Sequence, residues 1–259
     1  MKQLHIEIVH QDGLALVEIK RPEVLNALGM QTLEELLAAF RMLKEESEVR
    51  GVLLCGAEGN FAAGADLKEI GQLTPLEATR FAELGQSVCH AMERLGKPLI
   101  AAVSGYALGA GLELALACDF IVASDTALFG FKQIEYGIIP GFGGTQRLPR
   151  LVGKSKAKEL IFTAETVTAS EAATIRLVNR IYPAEALRRE SLALLTTICS
   201  RGLFSLRLAK EVIDAGYDVN LAAACLMERD AFAVCFATED QKEGMGAFVE
   251  KRKAKFKGK

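Results

Sequence analysis

Histidine is scarce in this chain, with three among 259 residues. His5 and His10 fall in the first strand-like stretch and His90 on an amphipathic helix, and none belongs to a cluster with metal-ligand spacing. No serine stands in GxSxG and no HExxH occurs, so the usual serine-hydrolase and zinc-protease patterns are missing. The six cysteines are scattered without a CxxC pair, mostly inside apolar runs where a thiol behaves as a small hydrophobe. They read as reduced core residues of a cytoplasmic protein. Neither charge sign dominates: the net charge of −2 gives no field to gather nucleic acid or an anionic membrane. The opening MKQLHIEIVHQDG has no signal-peptide apolar core and alternates like a strand. Only residues 98–118 are apolar for long enough to span a bilayer, and Ser104, Gly105, Gly109 and Gly111 divide them into strand, turn and helix.

What is present suits one large globular body, 50% hydrophobic and 25% charged. Strands are expected at 4–9 and 14–19, joined by a turn at Gln11-Asp12-Gly13, then a helix over 30–45. A strand at 49–57, a loop at 61–69, a helix within 75–95, a strand at 98–105, a loop and short helix, and a strand at 119–125 follow. Alternating strands and helices point to an α/β fold. After Pro149 the pattern turns mostly helical, with one short strand candidate in LVNRIY. The expected division is an α/β core over residues 1–200 and a helical region over 201–259, packed on the core or on another subunit.

The chemistry-bearing stretch is GYALGAGLELALACD, 105–119, where Glu113 sits in a run otherwise small or apolar. A helix that is apolar all round is normally buried. Burying an unpaired carboxylate is costly, or leaves it protonated, so Glu113 calls for a reason. Two loops, Ala62-Ala63-Gly64-Ala65-Asp66 and Ala107-Leu108-Gly109-Ala110-Gly111, each follow a strand and lead into a helix. Small residues there allow either a close ligand with its oxyanion held by main-chain N–H groups, or simply tight strand-to-helix packing. A third loop, GIIPGFGGTQRLPR at 137–150, matches neither GxGxxG nor GxxxxGK[ST], so it gives no nucleotide-binding signature.

Together FAAGADLKE, GYALGAGLELALACD and GIIPGFGGTQRLPRLVG with AKELIFTA resemble the enoyl-CoA hydratase/isomerase (crotonase) family, closest to its hydratase branch. RPEVLNAL at 21–28 and EGMGAFVEKRKAKFKG at 243–258 fit the same resemblance, which covers essentially the whole chain in order. It implies repeated ββα turns with a helical C-terminal trimerisation region, assembled as a homotrimer or as a hexamer made of two trimers. The implied substrate is an acyl-CoA thioester, with coenzyme A part of the substrate and no separate cofactor or metal. Nucleic acid and membrane are not expected partners.

By motif position, the resemblance makes the N–H groups of Ala65 and Ala110 the oxyanion hole and Glu113 the first catalytic glutamate. Ala110 stands where the family usually has Gly, a mild change as long as its φ is negative. The second glutamate position holds Gln133, which can orient water but cannot shuttle a proton. Loss of one of a general acid/base pair typically costs ~10²–10⁴-fold in rate. Glu135, two residues on, would face the same side as Gln133 if the segment is extended. Ala27, Ala63, Gly64, Asp66, Leu67, Gly109, Pro140 and Gly141 are the implied substrate-binding positions. Leu73, Leu84, Phe131 and Phe142 are candidate acyl-pocket residues. Hydration of a 2-enoyl-CoA is the leading expectation. The alternatives are isomerisation, decarboxylation or hydrolysis of an acyl-CoA, or a non-catalytic acyl-CoA-binding subunit. The basic tail EKRKAKFKGK would meet coenzyme A phosphates, form a solvated end, or contact nucleic acid.

Overall fold

The computed structural model describes residues 4–259, so the first three residues of the opening alternation lie outside the described ones. Strands β1 (Ile6–Gln11) and β2 (Leu14–Ile19) form an antiparallel hairpin. Asp12 and Gly13 both take positive φ, 51° and 76°, as the tightest hairpin turns require. Helix α1 (Met30–Glu45) places Leu33, Leu36, Phe40 and Leu43 on one buried stripe. Then come β3 (Gly51–Gly56), a single turn α2 (Leu67–Ile70) and α3 (Pro75–Glu93), which begins with a Thr74/Glu77 capping box.

β4 (Leu99–Val103) is buried at every position, as befits a parallel strand covered on both faces. A second strand, β5 (Tyr106–Leu108), leads at once into α4 (Ala110–Ala115). β6 (Phe120–Ser124) and β7 (Leu128–Gly130) repeat the two-strand step, and α5 (Gly144–Val152) and α6 (Lys154–Thr163) follow. The remaining elements are β8 (Thr166–Thr168), α7 (Ala169–Thr174), β9 (Arg180–Tyr182), α8 (Leu187–Cys199), α9 (Leu203–Tyr217), α10 (Leu221–Cys235) and α11 (Glu239–Val249).

The strands make two sheets. The larger runs β1-β2-β3-β4-β6-β9, parallel from β2 onward, and the smaller runs β5-β7-β8. An isolated bridge, Ala62 to Ala107, extends the smaller sheet to the loop after β3. Successive turns thus give one strand to each sheet before a helix, which is the expected ββα repeat. One face of the large sheet packs with α1, α3 and α4 into the main core. The other face, carrying Leu14, Leu16, Leu53, Ile100 and Val122, is covered by Leu187, Leu195 and Cys199 of α8.

The structure departs from the sequence reading in three places. The expected loop YALGAG contains β5, and neither β7 nor β8 was anticipated, because three-residue strands are too short to show a period. The helical pattern begins at Gly144, and α5 runs through Pro149. Residues 133–136 form a 3-10 turn where an extended segment was considered.

From α9 onward, α9 packs on α10, and neither helix has a buried residue. The basic tail folds back on α11. The Asp240 carboxylate accepts the N–H groups of Lys257 and Gly258 at 2.7 and 2.9 Å, and Glu243 pairs with Arg252 at 2.6 Å. Hydrogen bonding from the Arg252 guanidinium and the Lys255 N–H draws the Glu243 carboxyl down to about 2.

Among the described residues no single helix is long and apolar enough to cross a membrane. The apolar run 98–118 is β4, β5 and α4.

Candidate active site

Two backbone loops come together because the smaller sheet joins them. Ala62 N–H donates to Tyr106 O at 2.8 Å, and Leu108 N–H returns a bond to Ala62 O at 3.0 Å. The first loop is also clamped to residues 25–28: Ala63 N–H bonds Leu25 O at 3.0 Å, Leu28 N–H bonds Gly64 O at 2.8 Å, and Asp66 N–H bonds Leu28 O at 2.9 Å. In that ladder the N–H groups of Gly64 and Ala65 have no acceptor among the described residues, and Ala65 is the one the motif position points to. The Ala110 N–H is in the same position, since Ala110 opens α4 and has no preceding turn to bond. Ala110 has no positive φ, so its alanine side chain is accommodated without strain. Both residues line one cavity of about 310 Å³.

Ala27, Ala63, Gly64, Asp66, Leu67 and Gly109 line the same cavity. The Asp66 carboxylate is engaged with Arg21 at 3.1 Å and caps α2 through Lys68 N–H at 3.2 Å, so its side chain serves the loop. Pro140 and Gly141 are not on the cavity wall. Pro140 is buried, and Gly141 O accepts from Gln86 Nε2 at 2.8 Å. Leu73, Leu84, Phe131 and Phe142 all pack into the main core instead. The apolar lining comes from Val24, Ile70, Leu108, Tyr136 and Ile138, which the sequence reading did not single out. The three histidines are elsewhere, bonded to Thr32, Glu46 and the Gln86 carbonyl. No group of three or more potential metal-ligating side chains occurs among the described residues.

Glu113 is 1% exposed on α4, directly behind the cavity wall. Its Oε1 accepts two main-chain bonds, from Phe142 N–H at 2.8 Å and Gly144 N–H at 2.7 Å. Gly144 must lack a side chain for this approach, because a Cβ there would lie 2.9 Å from Oε1 and 2.7 Å from the Phe131 ring. Burial is the largest influence on the carboxyl and pushes it up to about 7. The N–H groups of Gly144, Phe142 and Gly141 and the Arg147 charge pull the other way. These N–H donors were missed in the sequence. Their signal was the FGG run at 142–144, inside the loop that gave no nucleotide-binding signature.

Oε2 has one bond, from Gln133 Nε2 at 3.2 Å. Gln133 stands between Glu113 and the cavity, and its Oε1 is buried with no donor among the described residues. Glu135 is not brought to the site. A 3-10 helix has three residues per turn, so a side chain two positions on is turned away from Gln133. Glu135 pairs instead with Lys132 at 3.1 Å, and its side chain is 48% exposed. The extended geometry that would have delivered it is absent.

A ββα body that presents the unpaired N–H groups of Ala65 and Ala110 near one sunken carboxylate can hold an oxygen that gains negative charge. Comparison with known proteins identifies the family. The profile of the enoyl-CoA hydratase/isomerase family matches residues 9–259. The chain is 44% identical to the crotonyl-CoA hydratase of Syntrophomonas wolfei over 253 residues, covering 97% of each sequence. It is equally 44% identical to the short-chain-enoyl-CoA hydratase of Clostridium acetobutylicum, again over 97% of each. A crystal structure of enoyl-CoA hydratase from Bacillus anthracis superposes with a TM-score of 0.95 at 38% identity, over 98% of this chain and all of that one. The chain belongs to the enoyl-CoA hydratase/isomerase family.

Proposed function

We propose that this protein is an enoyl-CoA hydratase that adds water across the 2,3 double bond of an acyl-CoA thioester. The observation that carries the reading is the juxtaposition at α4: the free N–H of Ala110 at its first residue and the buried carboxylate of Glu113 three residues on, facing the loop of Ala65. The thioester oxygen takes both N–H bonds, which strengthen as the double-bond electrons move onto it during attack at C3. Glu113 Oε1 is occupied by main-chain donors, so Oε2 is the oxygen that accepts the proton of the attacking water. Gln133 supplies a hydrogen bond to that oxygen and offers its own Oε1 to the water. It cannot donate a proton to C2. The proton that Glu113 removes from water is therefore the one it returns to C2. The product carries hydroxyl at C3 and hydrogen at C2, and the carboxylate is regenerated.

The relatives are named for hydration, which favours this reaction over isomerisation, decarboxylation, hydrolysis or simple acyl-CoA binding. Those names also support a short acyl group. Coenzyme A enters as part of the substrate, and the chemistry asks nothing of a separate cofactor. Six free cysteines, two of them buried, fit a reducing compartment such as the cytoplasm. The helices beyond residue 201 are assigned to assembly into a trimer or a pair of trimers.

Crotonyl-CoA tests the reading directly, since hydration removes its conjugated absorbance. Glu113→Gln should lower kcat by at least ~10²-fold while acyl-CoA affinity stays near that of the unmodified enzyme. Near-normal turnover by that variant would remove Glu113 from the chemistry.

A further inference from the structure

Four groups form a continuous hydrogen-bonded chain leading away from the catalytic carboxylate. Glu113 Oε1 takes the Phe142 N–H at 2.8 Å, the Phe142 carbonyl takes Arg147 Nη1 at 2.8 Å, and Arg147 Nε meets Glu93 Oε1 at 2.6 Å. Phe142 is thus gripped on both sides, by the acid through the N–H of the peptide before it and by the guanidinium through the carbonyl of the peptide after it. The intervening turn is built for the grip. A Cβ on Gly143 would lie 2.2 Å from Arg147 Nη1, so only glycine lets the guanidinium fold back over its own helix start. Arg147 and Glu93 side chains are 18% and 33% exposed, and both line a separate cavity of about 900 Å³. They touch no part of the substrate cavity.

We propose that Arg147, braced by Glu93, is a positioning residue for Glu113: it locks the 142–144 turn so that two N–H groups stay on Oε1 and Oε2 is left for chemistry. A fork is needed for this, because Arg147 bonds a carbonyl and a carboxylate at once through different nitrogens, which a lysine cannot do in the same plane. The charge acts as well as the geometry. The ionisable groups that bear on Arg147 are Glu113 on α4 and Cys89 and Glu93 on α3, and Glu93 in turn faces Asp214 of α9. His90, Arg94, Arg150 and Lys210 line the same cavity, but Arg147 is the cation that bears on Glu113, and it favours its anionic form.

The proposal rests on Glu113 being the base, and the experiment separates the two ideas. Crotonyl-CoA hydration is followed across pH for the full-length unmodified protein and for Arg147→Met, Arg147→Lys, Glu93→Gln and Glu113→Gln, with thermal midpoints recorded alongside. Arg147→Met should lose about 10²-fold in kcat with KM held within about twofold, and its acid limb should move to higher pH. Arg147→Lys keeps the charge, so its acid limb should return toward the unmodified position while kcat stays low. Glu93→Gln should lower kcat several-fold without raising the acid limb, and it decides the matter if Arg147→Met does not fold. Unmodified kcat in Glu93→Gln, or a loss in Arg147→Met explained by a lower midpoint with an unmoved acid limb, overturns the positioning role. An active Glu113→Gln variant would instead overturn the base assignment, whatever the arginine variants do.

Discussion

At the scale of single residues, Glu113 sits between two opposed requirements. As the proposed base it must be sunk deeply enough to hold a raised pKa and must still ionise to accept a proton. Its carboxyl is lifted to about 7 from an ordinary 4.5, chiefly by burial. A folded-state pKa above the unfolded one means that the unfolded chain ionises first as pH rises. Folding is therefore unpenalised below about 4.5, loses stability as pH climbs toward 7, and stays reduced by about 3 kcal/mol above that. Glu113→Gln removes the titration, so its stability relative to the unmodified protein should grow between pH 5 and pH 8. Urea midpoints of both proteins at the two pH values measure this, and an unchanged difference would mean that the carboxyl is not raised in the folded protein. The identity of Glu113 as an anomaly was legible in the sequence, because a lone acid in an apolar helix has few explanations. Its supporting N–H groups were not, since main-chain donors leave no mark in residue type beyond the glycine that admits them. The same limit misplaced Glu135. Its position depended on whether four residues were extended or wound into a turn, and no periodicity survives over so short a span.

At the scale of elements, the proposed oxyanion site is a by-product of how α4 seats against the loop after β3. Gly111 is the contact point: a Cβ there would lie 2.2 Å from Ala62 O and 2.7 Å from Ala62 Cβ. Ala62 is also the residue that bridges to Ala107 and so ties the loops carrying Ala65 and Ala110. Gly111→Ala should push α4 off this seat, costing about 1–3 kcal/mol as overpacking does. It should lower kcat more than it raises KM, because the two N–H groups lose their mutual spacing. Thermal denaturation with crotonyl-CoA kinetics checks both halves, and a variant that matches the unmodified protein in both would show the seat to be compliant. The long elements of this layer were readable in advance. Helix α1 falls on the expected residues, and the strands of the large sheet lie within a few residues of their expected places, because each is long enough to display a hydrophobic period or a buried run. The small sheet was hidden. Its strands are three residues long and depend on partners distant in sequence, which local pattern does not encode.

At the scale of the whole molecule, the C-terminal helices are apolar in composition yet find little to cover them. Leu221 is 80% exposed, Phe232 65% and Phe248 84%, and α9 and α10 bury no residue at all. Isolated exposed hydrophobes need no explanation, but several on consecutive helices fit the subunit interface proposed for this region. On α10 the adjacent Arg229 and Asp230 pair with each other at 2.8 Å. The active-site cavity lies on the body, while the apolar surface lies on the appended helices, so assembly and catalysis should separate on mutation. Leu221→Glu with Phe232→Glu places two charges where an apolar interface would close, and it should convert a trimer or hexamer into monomers. Sedimentation at equilibrium measures the change, and the monomers should keep the Glu113-dependent acid limb of the hydration profile, because no group that sets it lies on α10. A double variant that sediments like the unmodified protein would show that this surface is not where the subunits meet.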